Sequence, residues 1–198
     1  MKPEIEAKFL GVNHEDIRNK LREIGAVRTK PMRLMKRAIL DFPDRRLQEG
    51  EHNSFVRVRD EGDTVTLTFK QFREHTVDGA HEIETIVESF EETVNIFLSV
   101  GLVVASFQES KRETWTYKGC EIVLDEWPWL KPYIEIEGES EEELQSITKL
   151  LGFKWGEAVF GGVMRAYRVE YPRTSPDDAI GKLAEVRFNT PIPDFLKV

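Results

Sequence analysis

Three Glu-x-Glu pairs mark this chain: Glu4-Ile5-Glu6, with Lys8 two residues on, then Glu82-Ile83-Glu84 and Glu135-Ile136-Glu137. Between and around them stand Arg57-Val58-Arg59, Lys70, Arg112 and Asp125. Residues i, i+2 and i+4 of a strand share one face. These charges therefore line one face of a sheet, and Ile5, Ala7, Val58, Ile83 and Ile136 line the other. Carboxylates suit hard cations such as Mg²⁺ or Mn²⁺. The arginine fork donates two parallel hydrogen bonds to a phosphate, and lysine adds a point charge. Acids for metal and bases for phosphate are the parts of a site that handles a highly charged phosphate compound.

Taken singly, each pair is ordinary, because alternating charge is the usual solvent face of a half-buried sheet. In combination they need compensation, since like charges close together on strands repel. Cross-strand ion pairs on an open face would supply it, and so would metal and polyphosphate inside a barrel. A charged interior must be wet, internally paired or liganded, because burying unpartnered ions is very costly.

Other chemistry is poorly represented. No Gly-rich phosphate loop is present, and Gly161-Gly162 is not a Walker sequence. Phosphates would be held by side chains. His14, His52, His75 and His81 share no metal-ligand spacing, although His81 adjoins Glu82. Cys120 follows a turn glycine and reads as a small buried residue. No serine lies in a Gly-x-Ser-x-Gly context. Trp127 and Trp129, flanking Pro128, read as a loop packed on the end of the sheet.

The elements that position these residues follow from periodicity. Residues 3–10 alternate as a strand. Asn13 caps a helix carrying Ile17, Leu21 and Ile24, and Gly25 stops it. Residues 26–30 and 34–42 look extended, Pro43 to Asn53 is polar loop, and 54–72 is a hairpin turning at Glu61-Gly62-Asp63. After a loop over 73–79, residues 80–88 form a strand. Ser89 with Glu92 is a capping box for a helix with Phe90, Val94, Phe97 and Leu98, ended by Gly101. Residues 102–117 and 120–126 form a second hairpin through Lys118-Gly119, and 132–138 is a further strand. Ser140 with Glu143 opens a third helix, with Leu144, Ile147, Leu150 and Leu151 before Gly152. Residues 153–171 read as a final strand or helix. The resulting class is α+β: about eight strands in an antiparallel, closed or nearly closed barrel, with helices packed outside.

A chain of 198 residues, 40% of them hydrophobic, makes one domain or one with an appendage. We divide it into residues 1–171 and a tail, 172–198, whose four prolines and weak periodicity predict a surface wrap or a loose end. The net charge of −8 argues against duplex nucleic acid as a partner. No apolar run is long enough for a membrane span. The acidic, strand-like start is no signal peptide. A single cysteine fits a cytoplasmic location. Strand edges and helix faces leave room for a homodimer without demanding one.

The order of motifs resembles the CYTH superfamily, or triphosphate tunnel metalloenzymes, over roughly residues 3–170. The family's Glu-x-Glu-x-Lys stands here as Glu4, Glu6 and Lys8. Its Arg-x-Arg and Thr-x-Lys stand as Arg57, Arg59, Thr68 and Lys70, and its second acidic pair as Glu82 and Glu84. Its later basic strand, acidic turn and third acidic pair stand as Arg112, Asp125, Glu135 and Glu137. The resemblance implies an eight-stranded tunnel in which Lys8, Arg57, Arg59, Lys70 and Arg112 hold a triphosphate and carry catalysis. Glu4, Glu6, Asp125, Glu135 and Glu137 are then metal-side carboxylates, with Glu82 and Glu84 as tunnel acids that bind metal or orient the bases. Two departures stand out. The basic strand usually reads Lys-x-Arg, but Ser110 precedes Arg112 by two, so either a bulge turns Lys111 inward or one cation is missing. Where relatives often carry Asp-x-Tyr-x-Asp, this chain has Arg37 to Asp41, and only Asp41 fits. Arg37 is a candidate to supply the charge that Ser110 lacks.

The expected activity is Mg²⁺- or Mn²⁺-dependent hydrolysis of inorganic triphosphate, thiamine triphosphate or a nucleoside triphosphate. The alternatives are an adenylyl cyclase making cyclic AMP and pyrophosphate, and a non-catalytic sensor of nucleotides or polyphosphate.

Overall fold

The computed structural model describes residues 2–72, 80–175 and 177–197, and for residues 2–4 and 80 the backbone only. The expected loop over 73–79, with His75, lies outside the described residues. The alternating segments become β1 (Lys2–Leu10), β2 (Val27–Asp41), β3 (Asn53–Asp60), β4 (Val65–Phe72), β5 (Ala80–Val87), β6 (Val103–Tyr117), β7 (Cys120–Glu126), β8 (Tyr133–Gly138) and a short β9 (Glu185–Val186). The helices are α1 (His14–Glu23), α2 (Phe90–Ser99), α3 (Glu141–Leu150) and α4 (Val163–Glu170).

Strands pair in the order β2-β3-β4-β5-β1-β8-β7-β6, and β6 pairs back onto β2, so eight antiparallel strands close on themselves. This is the expected tunnel. β9 adds in parallel to β6 from outside the ring. Register does the positioning. Glu6 stands opposite Glu137, Lys8 opposite Glu135, Thr68 between Arg57 and Glu84, and Arg112 opposite Asp125. Because side chains alternate, closure sends one parity of every strand inward and the other outward.

The outward parity is largely apolar and is covered unevenly. The first three helices start where the sequence indicates: Asn13, Ser89 and Ser140 accept backbone N–H groups of the first turn. They end at Gly25, Gly101 and Gly152, each in the left-handed region with φ of 80°, 98° and 79°. Leu21 of α1 with Leu144 and Ile147 of α3 packs on Ala7, Phe9, Ile122, Ile134 and Ile136. Val94 of α2 packs on Ala38, Leu40 and Val58.

Two details depart from the expectations. First, Ile83 is 59% exposed rather than buried, because α2 turns back onto β3 and β6 and leaves the outside of β5 uncovered. Second, the two extended segments after α1 are one strand, with register shifts at Arg28/Lys30 and Lys30/Arg33 absorbing the irregular middle. Residues 153–171, expected as a final strand or helix, hold the helix α4 over Val163–Glu170, preceded by a β-bridge between Lys8 and Val159.

Beyond α4 the chain lies along the barrel. Ile180, Val186 and Leu196 are buried with Trp127, Leu130, Tyr133, Ala166 and Tyr167 in a third core cluster. Tyr167 and Tyr171 donate their hydroxyls to the carbonyls of Pro128 and Trp129, and Trp129 Nε1 donates to Thr190 O at 3.0 Å. The tail therefore secures the Trp127-Pro128-Trp129 loop. Leu196→Ala is expected to cost ~2–5 kcal/mol in urea unfolding, the range for emptying a buried leucine site. Ile83→Ala should shift stability by under ~0.5 kcal/mol. A Leu196 variant as stable as the parent would mean that the tail is not part of the core.

Candidate active site

The inward face encloses a cavity of about 480 Å³. Six strand-borne cations line it: Lys8 on β1, Arg37 on β2, Arg57 and Arg59 on β3, Lys70 on β4 and Arg112 on β6. Six acids line it too: Glu6, Glu82, Glu84, Glu135 and Glu137, all singled out in the sequence, and Glu121, which was not. The structure thus brings eleven of the fourteen residues singled out in the sequence into one chamber. The side chain of Glu4 lies outside the described residues.

Two others sit elsewhere. Asp125 is 1% exposed and is committed to Arg112, accepting from Nε at 2.8 Å and Nη2 at 2.6 Å. Both of its carboxylate oxygens anchor the Arg112 guanidinium. Lys111 keeps strict strand parity and points out of the barrel, with Nζ 3.3 Å from Glu126 and over the Phe188 ring at 4.9 Å. No bulge turns it inward, because the registers of β6 with β2 and β7 run unbroken through Lys111 and Arg112.

Inside, every one of these cations except Arg37 meets an acid within 4 Å. Lys8 Nζ lies 2.7 Å from Glu6 Oε1 and 2.9 Å from Glu135 Oε2. Burial alone would lower the Lys8 pKa, but Glu135 and Glu6 outweigh it and hold it above an ordinary lysine. Burial would raise Glu135, yet Lys8 and Arg112 hold it well below the usual carboxylate range. Arg112 reaches Glu135 at 3.4 Å as well as Asp125, and these acids keep it well above its ordinary value despite burial. Arg57 Nη2 donates to Thr68 Oγ1 at 3.1 Å and to Glu84 Oε2 at 3.3 Å, and Thr68 donates to that same oxygen at 2.6 Å. Lys70 Nζ lies 3.9 Å from Glu82. The cations are mostly held in place, which is preorganisation for a polyanion.

Glu61 joins this network although its sequence context marks only a turn; it continues the inward parity of Arg57 and Arg59. Its Oε1 lies 2.6 Å from Arg59 Nη2, and its Oε2 lies 3.1 Å from Arg33 Nη2 and 3.4 Å from Lys30 Nζ. Burial would raise Glu61, but Arg59, Arg33 and Lys30 bring it down to about 2. Burial, with Arg57 and Arg112 beside it, pulls Arg59 down to about 10. Gln108 and Tyr133 also line the cavity, and the parity of Arg112 and of Glu135 would have found them. Arg165 and Arg168 reach it from α4, which periodicity left undetermined. His14 is structural: Nε2 lies 3.3 Å from Tyr133 O.

The donor chemistry fits a divalent ion only in part. Glu6, Glu135 and Glu137 offer hard oxygen, and the first two already converge on one cation, Lys8. Among the described residues, however, no group of three or more acid, histidine or cysteine side chains is gathered closely enough to hold a metal alone. That pattern suits Mg²⁺, which takes one or two carboxylates and completes its octahedron with water and substrate phosphates.

A closed antiparallel barrel with both signs of charge facing inward is the architecture of a triphosphate tunnel protein. The CYTH domain model matches residues 2–155, and the chain belongs to that family. Among solved structures it is similar to the PH1012 protein of Pyrococcus horikoshii OT3, at 21% identity and a TM-score of 0.64 over 78% of this chain and 93% of that one. A candidate adenylate cyclase from Vibrio parahaemolyticus matches at 14% identity and a TM-score of 0.70 over 81% and 95%. A candidate adenylyl cyclase from Hippeastrum, described as having a dominant triphosphatase activity, matches at 14% and 0.56 over 89% and 98%. At these identities the likeness shows the fold. A comparison with curated proteins found no match. Among the described residues no helix is long and apolar enough to cross a membrane.

Acid titration tests the electrostatic frame. The depressed Glu61 contributes stability in full above its unfolded pKa of about 4.3 and loses it as pH falls through its folded value, about 2. Glu135 acts in the same direction. Urea unfolding should show stability falling through that window, and Glu61→Gln should flatten the fall. An equally steep fall in the variant would remove Glu61 from the frame.

Proposed function

We propose that this protein is a divalent-metal-dependent hydrolase of triphosphate compounds, with the triphosphate lying in the tunnel. The observation that carries this reading is the convergence of six buried or nearly buried cations, from five strands, on one enclosed cavity. A ligand with several closely spaced negative charges is the partner that such a lining matches.

Lys8, Arg57, Arg59, Lys70 and Arg112 bind and orient the phosphates. They face the charge that moves onto the bridging oxygen as the terminal phosphoryl group leaves, and stabilising that charge is the larger part of such catalysis. Asp125 and Glu84 hold Arg112 and Arg57 in position. Glu6, Glu135 and Glu137 would hold the metal, with Glu82 and Glu84 nearby. Mg²⁺ or Mn²⁺ held there would supply Lewis acidity toward the phosphate oxygens.

Phe55 and Phe72, with ring centroids 6.3 Å apart, line the same cavity next to Lys70. That wall suits a triphosphate bearing a ring, and it keeps adenylyl cyclase chemistry as the second reading. There the same grip would present the α-phosphorus to the 3′-hydroxyl of ATP.

The test is a panel of inorganic triphosphate, ATP and thiamine triphosphate with Mg²⁺ or Mn²⁺, scored for phosphate, pyrophosphate and cyclic nucleotide. Phosphate release is expected. Cyclic AMP with pyrophosphate would replace hydrolase by cyclase, and tight binding without turnover would make the protein a sensor. Lys8→Ala and Arg57→Ala should each lower kcat/KM by about a hundredfold or more while the circular dichroism spectrum is kept. A loss under about threefold would take these residues out of the reaction.

A further inference from the structure

Arg37 is the cation least provided for in the tunnel. Its side chain lines the cavity and is only 6% exposed. Among the described residues it makes no ion pair, and its Nε has no hydrogen-bond partner. Nη2 donates to Ser110 Oγ, and the guanidinium lies over the Trp127 ring at 4.4 Å. In register it stands directly opposite Arg59, so two inward guanidinium groups face each other across β2 and β3. Burial, and then Arg59, Arg57 and Arg112, push Arg37 well below its ordinary value; Asp125 acts the other way but is already bonded to Arg112.

For the ligand-free protein this arrangement is a net cost. A buried cation without an anion is unfavourable, and like charges opposite each other on strands add to it. An apolar side chain of similar volume would serve the fold better. The cost makes sense when a polyanion enters and takes the free donors. The inward row of β6 runs Gln108, Ser110, Arg112 and carries charge only at its end. The Arg37 guanidinium reaches into that gap from the neighbouring strand.

Resting on the polyphosphate reading above, we propose that Arg37 is a phosphate-binding residue that fills the missing cation position of β6, with Ser110 and Trp127 as its positioning residues. The rival role is a tether that merely holds Ser110 and Trp127 together. The two roles predict opposite signs of stability change. Removing a tether lowers the melting temperature, whereas removing an uncompensated buried cation leaves it unchanged or raises it.

The experiment compares the parent with Arg37→Met and with Arg37→Met/Ser110→Lys. Binding of inorganic triphosphate with Mg²⁺ is read by calorimetry, and the melting temperature is read without ligand. Arg37→Met should weaken binding at least about tenfold, the scale for a lost charge-assisted contact, with no fall in melting temperature. The double variant, which returns a cation to β6, should recover affinity to within about threefold of the parent. Affinity of Arg37→Met within about twofold of the parent overturns the inference. So does a loss that the double variant shares in full, which would assign it to a distorted tunnel. Binding without turnover in the parent would overturn the hydrolase reading and leave this one standing. A parent that binds no triphosphate would overturn both.

Discussion

Everything in this structure depends on burying charge of both signs inside a closed ring of strands. Closure leaves no choice about parity: whatever alternates with the apolar residues goes inside. An interior of six cations is tolerable only if acids stand close to them, and the sequence supplies those acids on neighbouring strands at matching register. Lys8 between Glu6 and Glu135, and Arg112 between Asp125 and Glu135, are the tightest examples. Such pairs add little net stability over an apolar core. What they add is a fixed place for each charge, which a polyanion meets without further reorganisation.

The acids are therefore not equivalent. Asp125 is buried behind Arg112 and serves that residue alone, whereas Glu84 accepts from both Arg57 and Thr68. Glu61 ties Arg59 to Lys30 and Arg33, which lie where β2 shifts register at the other side of the wall. A list of acidic motifs hides these differences. Hydrogen-bond geometry separates the carboxylates that hold arginines from those that remain to meet a metal or a ligand.

The outer layer reaches into the same chamber. α4 and the segment after it bury Tyr167, Ile180, Val186 and Leu196 against Trp127 and Tyr133. Trp127 is the platform under Arg37, and Tyr133 lines the cavity. The family match stops at residue 155, so the part of the chain that backs this wall lies beyond it. Packing outside the barrel and charge placement inside it are thus coupled through one loop, Trp127-Pro128-Trp129.

The sequence by itself determined the ring strands apart from the continuity of β2, the first three helices and the inward parity of most of the charged residues. Those follow from a period of two, from capping residues and from stop glycines, all local effects written in adjacent residues. It also showed that acids and bases alternate along the chain. Only the tertiary structure decided which acid holds which base, because pairing between strands sets register, and register is not a local property. The helical form of α4, the exposure of Ile83, the outward course of Lys111 and the contact of Arg37 with Ser110 were settled the same way. Each depends on what a residue meets across the barrel wall, and residues far apart in sequence supply that neighbour.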